Sequence, residues 1–281
     1  MLRLLVLASL TLMSYGQNVT TWHNDINRTG WQPNETILTQ SNVGAPHQFG
    51  LLWQWPVTGY VFAQPLAVTL SQSVGTCSKP CSLVFVATEE DMLYAFNAAS
   101  SSTNSIWSRD LAAYVGGSPV TCSELPPNVP YDPCSSGLLG PYVGVTGTPV
   151  IDTSASPNTL YVAAAVYFST SQTISFYLFA VDITTGSVLG DTVIAGTVNG
   201  YSPGGGVGLC TSDFPRTGQI PFDYNHIQRS ALLLLNSTVY VAFAPGAAMP
   251  TSTSAREESW WSRPPSPIPI TPTIAPTDAT S

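Results

Sequence analysis

Val84-Phe85-Val86-Ala87 recurs as Leu160-Tyr161-Val162-Ala163 and again as Val239-Tyr240-Val241-Ala242, spaced 76 and 79 residues apart (84 to 160, 160 to 239). Each copy joins β-branched and aromatic residues in a short apolar run, the composition of a buried strand. Another apolar segment precedes each copy: Gln64-Pro65-Leu66-Ala67-Val68, Thr148-Pro149-Val150-Ile151, and residues 231–235. Turn-forming residues separate the two members, as at 154–158 and at Asn236-Ser237.

Two copies continue into further strands. Leu93-Tyr94-Ala95-Phe96-Asn97 is followed, after a serine-rich loop, by Ile106-Trp107. Phe179-Ala180-Val181-Asp182 is followed by Thr184-Thr185-Gly186 and then Ser187-Val188-Leu189. The unit therefore reads as four antiparallel strands, which is the blade of a β-propeller, and such units bury their faces by stacking on neighbours. The fold class expected is all-β, a partial propeller, with units at about 60–110, 145–190 and 229–244. Gly/Pro-rich gaps at 116–144 and 190–229 read as long loops gathered on one face, where repeat proteins place insertions for binding.

The stretch Tyr177-Leu178-Phe179-Ala180-Val181-Asp182-Ile183-Thr184-Thr185-Gly186 resembles the blade motif of the pyrroloquinoline-quinone-like repeat β-propellers. Leu93-Tyr94-Ala95-Phe96-Asn97 with Trp107 is similar to it with a longer turn, and residues 146–152 look like an opening strand. Thr21-Trp22-His23-Asn24-Asp25 with Arg28-Thr29-Gly30 resembles the start of secreted propellers of this type. The resemblance spans about residues 21–244 and implies architecture. Quinone-dependent dehydrogenases share the fold, but this chain lacks the adjacent cysteine pair they set beside the quinone, so no cofactor is carried over.

Residues 1–16 read as an export signal: Arg3, an apolar run at 4–13, and Ser14 and Gly16 before a cut at Gln17. The run is too short to span a bilayer as a helix, so no membrane span is expected after its removal. Four sequons begin at Asn18, Asn27, Asn34 and Asn236, consistent with a secreted, extracellular glycoprotein. Only 9% of residues are charged, and the formal charge is −8, which argues against nucleic-acid binding. In an oxidising compartment the close pairs Cys77/Cys81 and Cys122/Cys134 are the expected disulfides, with Cys210 left over. The spacings are not those of a zinc site, and His23, His47 and His226 are not placed as paired ligands.

His23, Asp25 and Arg28 form the densest polar group, and it has two readings. In one, His23 is an acid/base oriented by Asp25. In the other, Asp25 pairs with Arg28 while Trp22 packs on a blade. The aromatics Trp22, Trp31, Trp53, Trp55 and Tyr60 suit inter-blade packing or a sugar platform. Glu89-Glu90-Asp91 reads as a solvated turn. No phosphate loop, G-x-S-x-G or H-E-x-x-H motif is present, so no catalytic residue and no metal ligand is assigned.

Residues 245–281 are rich in Pro, Ser and Thr and read as a disordered tail. Fewer than three units precede it, against the usual 4–8 blades, so the propeller reads as truncated and its uncovered edge as prone to association. The expected function is a secreted binding or scaffold protein, with an extracellular protein or glycan as partner. The alternative is a truncated secreted quinoprotein-like oxidoreductase or carbohydrate-active propeller.

Overall fold

The computed structural model describes residues 18–35, 37–44, 50–125, 140–202, 216–221 and 226–245. The expected leader at 1–16, the tail beyond Pro245, Cys134 and Cys210 lie outside them. The chain is all-β and its sheets are antiparallel.

The first sheet is an up-and-down run of β1 (Leu66–Leu70), β2 (Cys81–Ala87), β3 (Met92–Asn97) and β4 (Trp107–Asp110). In β2 the residues Cys81, Leu83, Phe85 and Ala87 are buried and alternate with half-buried ones, the two-residue period of a strand covered more on one side. On β3, Leu93 and Ala95 face that core. Phe96 points the other way and stacks on Trp55, with ring centroids 5.2 Å apart. Cys77 and Cys81 are joined by a disulfide that closes the β1–β2 connection. A loop this short predicts a modest entropic gain, so a Cys77→Ala, Cys81→Ala double variant should lose about 2 kcal/mol in chemical denaturation. Cys122 is also disulfide-bonded. The expected Cys122–Cys134 pairing involves a residue outside the described ones.

The segment at 116–144 is not simply a loop, as the sequence had suggested. It contributes β5 (Ser118–Thr121) and β6 (Tyr142–Val143). The second sheet then runs β7 (Val150–Asp152), β8 (Thr159–Phe168), β9 (Thr173–Asp182) and β10 (Val188–Ile194). β7 is short and pairs only with the first three residues of β8, from Thr159 to Tyr161. The far part of the same β8 edge is left open, and β5 covers it at Val166 and Tyr167. The opening strand read at 146–152 begins only at Val150.

Further on, β11 (Thr197–Ser202) and β12 (Arg216–Pro221) form a hairpin within the second long insertion. β13 (His226–Ile227) pairs with a closing strand beyond the next hairpin. That hairpin is β14 (Leu233–Leu235) with β15 (Thr238–Tyr240), and the closing strand is β16 (Ala244–Pro245). Asn236 and Ser237 have φ of 49° and 58°, the left-handed pair that a two-residue hairpin requires.

Eight consecutive residues of β8, Thr159 to Val166, are buried. Their side chains alternate between two cores. Leu160, Val162 and Ala164 pack with Leu83, Phe85 and Leu93 of the first sheet. Tyr161, Ala163 and Ala165 pack with Leu232 and Val239 of the third unit. The second sheet is thus sandwiched between its neighbours, and both of its faces are apolar for that reason.

A specific lock joins the first two sheets. The Asp182 carboxylate accepts from the Thr184 amide at 2.8 Å and from the Thr184 and Thr185 hydroxyls at 2.7 and 2.9 Å. Burial raises the Asp182 pKa, but these hydrogen bonds outweigh it and hold the group below its ordinary value. The turn so formed offers two carbonyls to β4. Trp107 Nε1 donates to the Ile183 carbonyl at 3.1 Å, and Arg109 Nε donates to the Gly186 carbonyl at 2.8 Å. Gly186 has φ +69°, and a Cβ there would lie 2.6 Å from the Trp107 ring. Glycine is therefore required twice over, by the turn and by the indole laid on it.

Candidate functional site

Residues 18–30 run along the opening strands of the first two units and reach the lead into the third. Val19 exchanges backbone hydrogen bonds with Ala67 of β1, and the Thr20 carbonyl accepts from Ile151 of β7 at 2.8 Å. The Arg28 guanidinium donates to Thr21 Oγ1 at 2.7 Å, to the Trp22 carbonyl at 2.9 Å and to the Leu232 carbonyl at 2.9 Å. One short segment thereby touches all three units.

This geometry replaces both sequence readings of the polar group. His23 and Asn24 take φ of 56° and 70°. That turn lays the His23 ring against Trp22, with centroids 3.5 Å apart and planes 18° apart. His23 Nδ1 lies 3.3 Å from the Arg28 carbonyl. Asp25 is not its orienting partner: the carboxylate accepts from the Thr29 hydroxyl and, at 3.3 Å, from the Thr29 amide. The Thr29 hydroxyl bond is the main reason the Asp25 pKa lies below its ordinary value, against a smaller opposing effect of desolvation. Asp25 and Arg28 interact by charge but make no direct side-chain contact, because the guanidinium is directed at Thr21, Trp22 and Leu232. Trp22 is not packed away on a sheet and stays 37% exposed.

The acidic turn is the larger correction. Residues 88–91 link β2 to β3, and Glu89 and Asp91 are both 0% exposed, not solvated. Tyr60 and Leu111 meet the turn through backbone hydrogen bonds with Glu89 and Asp91, and 55 residues downstream of Glu89 the segment 144–148 is laid across it. Val145 N donates to the Thr88 carbonyl at 3.2 Å. Gly144 N and Thr146 Oγ1 donate to the same Glu89 oxygen, Oε2, at 2.7 and 3.0 Å. A side chain at Gly144 would collide with Asp91 Oδ1 and the Glu89 carbonyl, and one at Gly147 with Gln228. Glu89 Oε1, both Asp91 carboxylate oxygens and Thr88 Oγ1 are buried without a hydrogen-bond partner among the described residues. Burial pushes the Glu89 carboxyl from its ordinary 4.5 to about 7, although Gly144, Thr146 and the charge of Arg229 act against it. Burial pushes Asp91 up as well, and the nearby carboxylates of Glu89 and Asp110 add to the effect.

On the other side of Thr146 opens a cavity of about 640 Å³, lined by Trp22, Arg28, Phe62, Thr146, Thr148, Arg229, Ser230 and Ala231. Its wall combines two aromatic rings, three hydroxyls and two guanidinium groups, so polar and charged side chains outnumber the apolar ones. Sequence reading had found Trp22 and Arg28 but missed the rest. The one signal for them was the Gly144-x-x-Gly147 spacing, which permits close passage of the chain. Of the other aromatics, Trp31 and Tyr60 are 68% and 56% exposed, whereas Trp55 packs on Phe96. Asn18, Asn27, Asn34 and Asn236 are all exposed.

Among the described residues, no group of three or more His, Cys, Asp and Glu side chains is placed to hold a metal ion. Nor is any helix among them long and apolar enough to cross a membrane. Comparison of the chain with protein-family models, with curated proteins and with solved structures returns no match.

Proposed function

We propose that this chain is an exported ligand-binding module whose sheets are blades of a propeller of the pyrroloquinoline-quinone-like repeat type, and that its ligand enters the cavity between Trp22 and Arg229. The observation that carries this reading is the cavity's position. It lies where the N-terminal segment, the link at 144–148 and the lead into β14 converge. Face-to-face stacking of the units and the Trp107 lock support the blade assignment. Glu89 is fully buried behind Thr146, so it acts on the cavity by fixing that hydroxyl and not by exchanging a proton with a ligand. This favours binding over catalysis.

Tryptophan fluorescence titration of the full chain and of its Trp22→Phe variant tests the assignment. Across a panel of neutral and charged monosaccharides and short peptides, at least one compound should give a saturable change that Trp22→Phe reduces. The bound compound should be recovered chemically unchanged. A flat response to the whole panel would overturn the binding reading, and conversion of the compound would overturn the non-catalytic one.

Export has its own test. Mass spectrometry of material from the culture medium should show an N-terminus at Gln17 and sugar mass at Asn18, Asn27 or Asn34. An intact Met1 with no added sugar would be incompatible with it.

A further inference from the structure

Resting on the cavity assignment above, we propose that this cavity selects an anionic sugar, with its carboxylate or sulfate on Arg229 and its ring against Trp22 and Phe62. The charge distribution is the first argument. The chain carries only eight Lys and Arg against sixteen Asp and Glu, yet two of the eight line this one cavity.

The two arginines differ in what they have left to offer. Arg28 directs three hydrogen bonds into the protein and acts as a fixed positive strut. Arg229 is exposed and donates no side-chain hydrogen bond among the described residues, although its charge reaches the Glu89 carboxyl. Its planar fork matches a carboxylate or sulfate edge with two parallel N–H donors.

The hydroxyls point beyond a bare anion. Thr146 gives its proton to Glu89 Oε2, so toward the cavity it can only accept. That remains true when Glu89 is protonated, because Oε2 already receives two donors and the acid proton belongs on the unpartnered Oε1. Sulfate has nothing to donate to Thr146, whereas a hydroxylated ligand does. Thr148 Oγ1 accepts from the Gln64 amide at 2.9 Å and keeps its own proton to give. Acceptor, donor and guanidinium thus line one cavity beside apolar rings, and a sugar presents all the matching parts: hydroxyls, an apolar C–H face and an acidic group.

Isothermal titration of the full chain with glucuronate, glucose 6-sulfate, glucose and sodium sulfate decides the matter, together with the Arg229→Gln variant. Arg229 is exposed, so its replacement is expected to keep the fold, which a circular dichroism spectrum unchanged from the wild type checks. At least one of the two acidic sugars should bind about tenfold or more tightly than glucose, the margin expected of a charge-assisted contact. Arg229→Gln should weaken the acidic sugars by about tenfold or more and glucose by clearly less, so that the margin between them closes. The tighter of the two identifies carboxylate or sulfate as the seated group. Equal affinity for glucose and both acidic sugars, or no effect of Arg229→Gln, would overturn the anionic part and leave the cavity as a ligand site. Sodium sulfate binding as tightly as glucose 6-sulfate would overturn the sugar part. No binding by any of the four, with a panel compound still sensed by Trp22, would overturn the class alone. A panel that is silent throughout would overturn the underlying cavity assignment.

Discussion

Raising the pH from about 4.5 to about 7 is expected to destabilise the folded chain by roughly 3 kcal/mol through Glu89 alone. The sign follows from the direction of the shift. In the unfolded chain Glu89 titrates near its ordinary 4.5, and in the folded chain near 7. The folded state therefore holds the proton more tightly. Its advantage is complete below 4.5, shrinks as the unfolded chain ionises, and is gone once the pH has passed the folded value. Asp91 acts in the same direction, since burial and its carboxylate neighbours raise it too. Thermal unfolding between pH 4.5 and 8 should show a melting temperature that falls by roughly 6 to 12 °C. Glu89→Gln should remove Glu89's share of that fall and leave the share of Asp91, because the amide oxygen can still accept from Gly144 and Thr146. Asp91→Asn should raise the melting temperature at pH 7.5, since it spares the folded state the cost of burying an acid that the unfolded chain holds ionised. Asparagine also tolerates the φ of 56° found there. A wild-type curve flat across this range, or one that Glu89→Gln leaves unchanged, would refute the account.

The second large effect is expected at the lock between the first two sheets. Trp107→Ala removes an indole that stacks on Gly186, packs beside Phe85 and donates to Ile183. The loss should be about 3 kcal/mol or more in chemical denaturation. Trp107→Phe keeps the ring contact and forfeits the hydrogen bond, so about 1 kcal/mol is expected. Gly186→Val should be as damaging as Trp107→Ala, because it forces a branched side chain into a left-handed turn and into the indole. The double variant Trp107→Ala, Gly186→Val should cost clearly less than the sum, as the clash disappears with the ring. Additive losses would mean that the two positions do not share one contact.

The strands of this protein were legible because their information is local. Val84–Ala87, Leu160–Ala163 and Val239–Ala242 carry apolar β-branched and aromatic residues in the chain itself, and each forms or overlaps a strand at β2, β8 or β15. The turn at Asp182–Gly186 was legible for the same reason, since its hydrogen bonds run between near neighbours. β5 was not, because Ser118 and Pro119 show no strand pattern. They are recruited by the open edge of β8, which exists only because β7 is short. The acidic turn at 89–91 was misread for a related reason. Three charged residues in a row look solvated in isolation, and two of them are buried by segments distant in the chain, Tyr60, Leu111 and the passage of Gly144, Val145 and Thr146. Arg229 gave no local signal either, since its meaning depends on Trp22 and Thr146 lying nearby.

In β8 the parity of a residue's number decides which neighbour it serves: 160, 162 and 164 face the first sheet, and 161, 163 and 165 face the third unit. The two contacts are therefore written in interleaved letters of one strand. A substitution at an even position rewrites one contact and leaves the spelling of the other untouched. The strand can thus change its fit to one neighbour while its fit to the other is held constant, so a stack of such sheets can diversify one joint at a time.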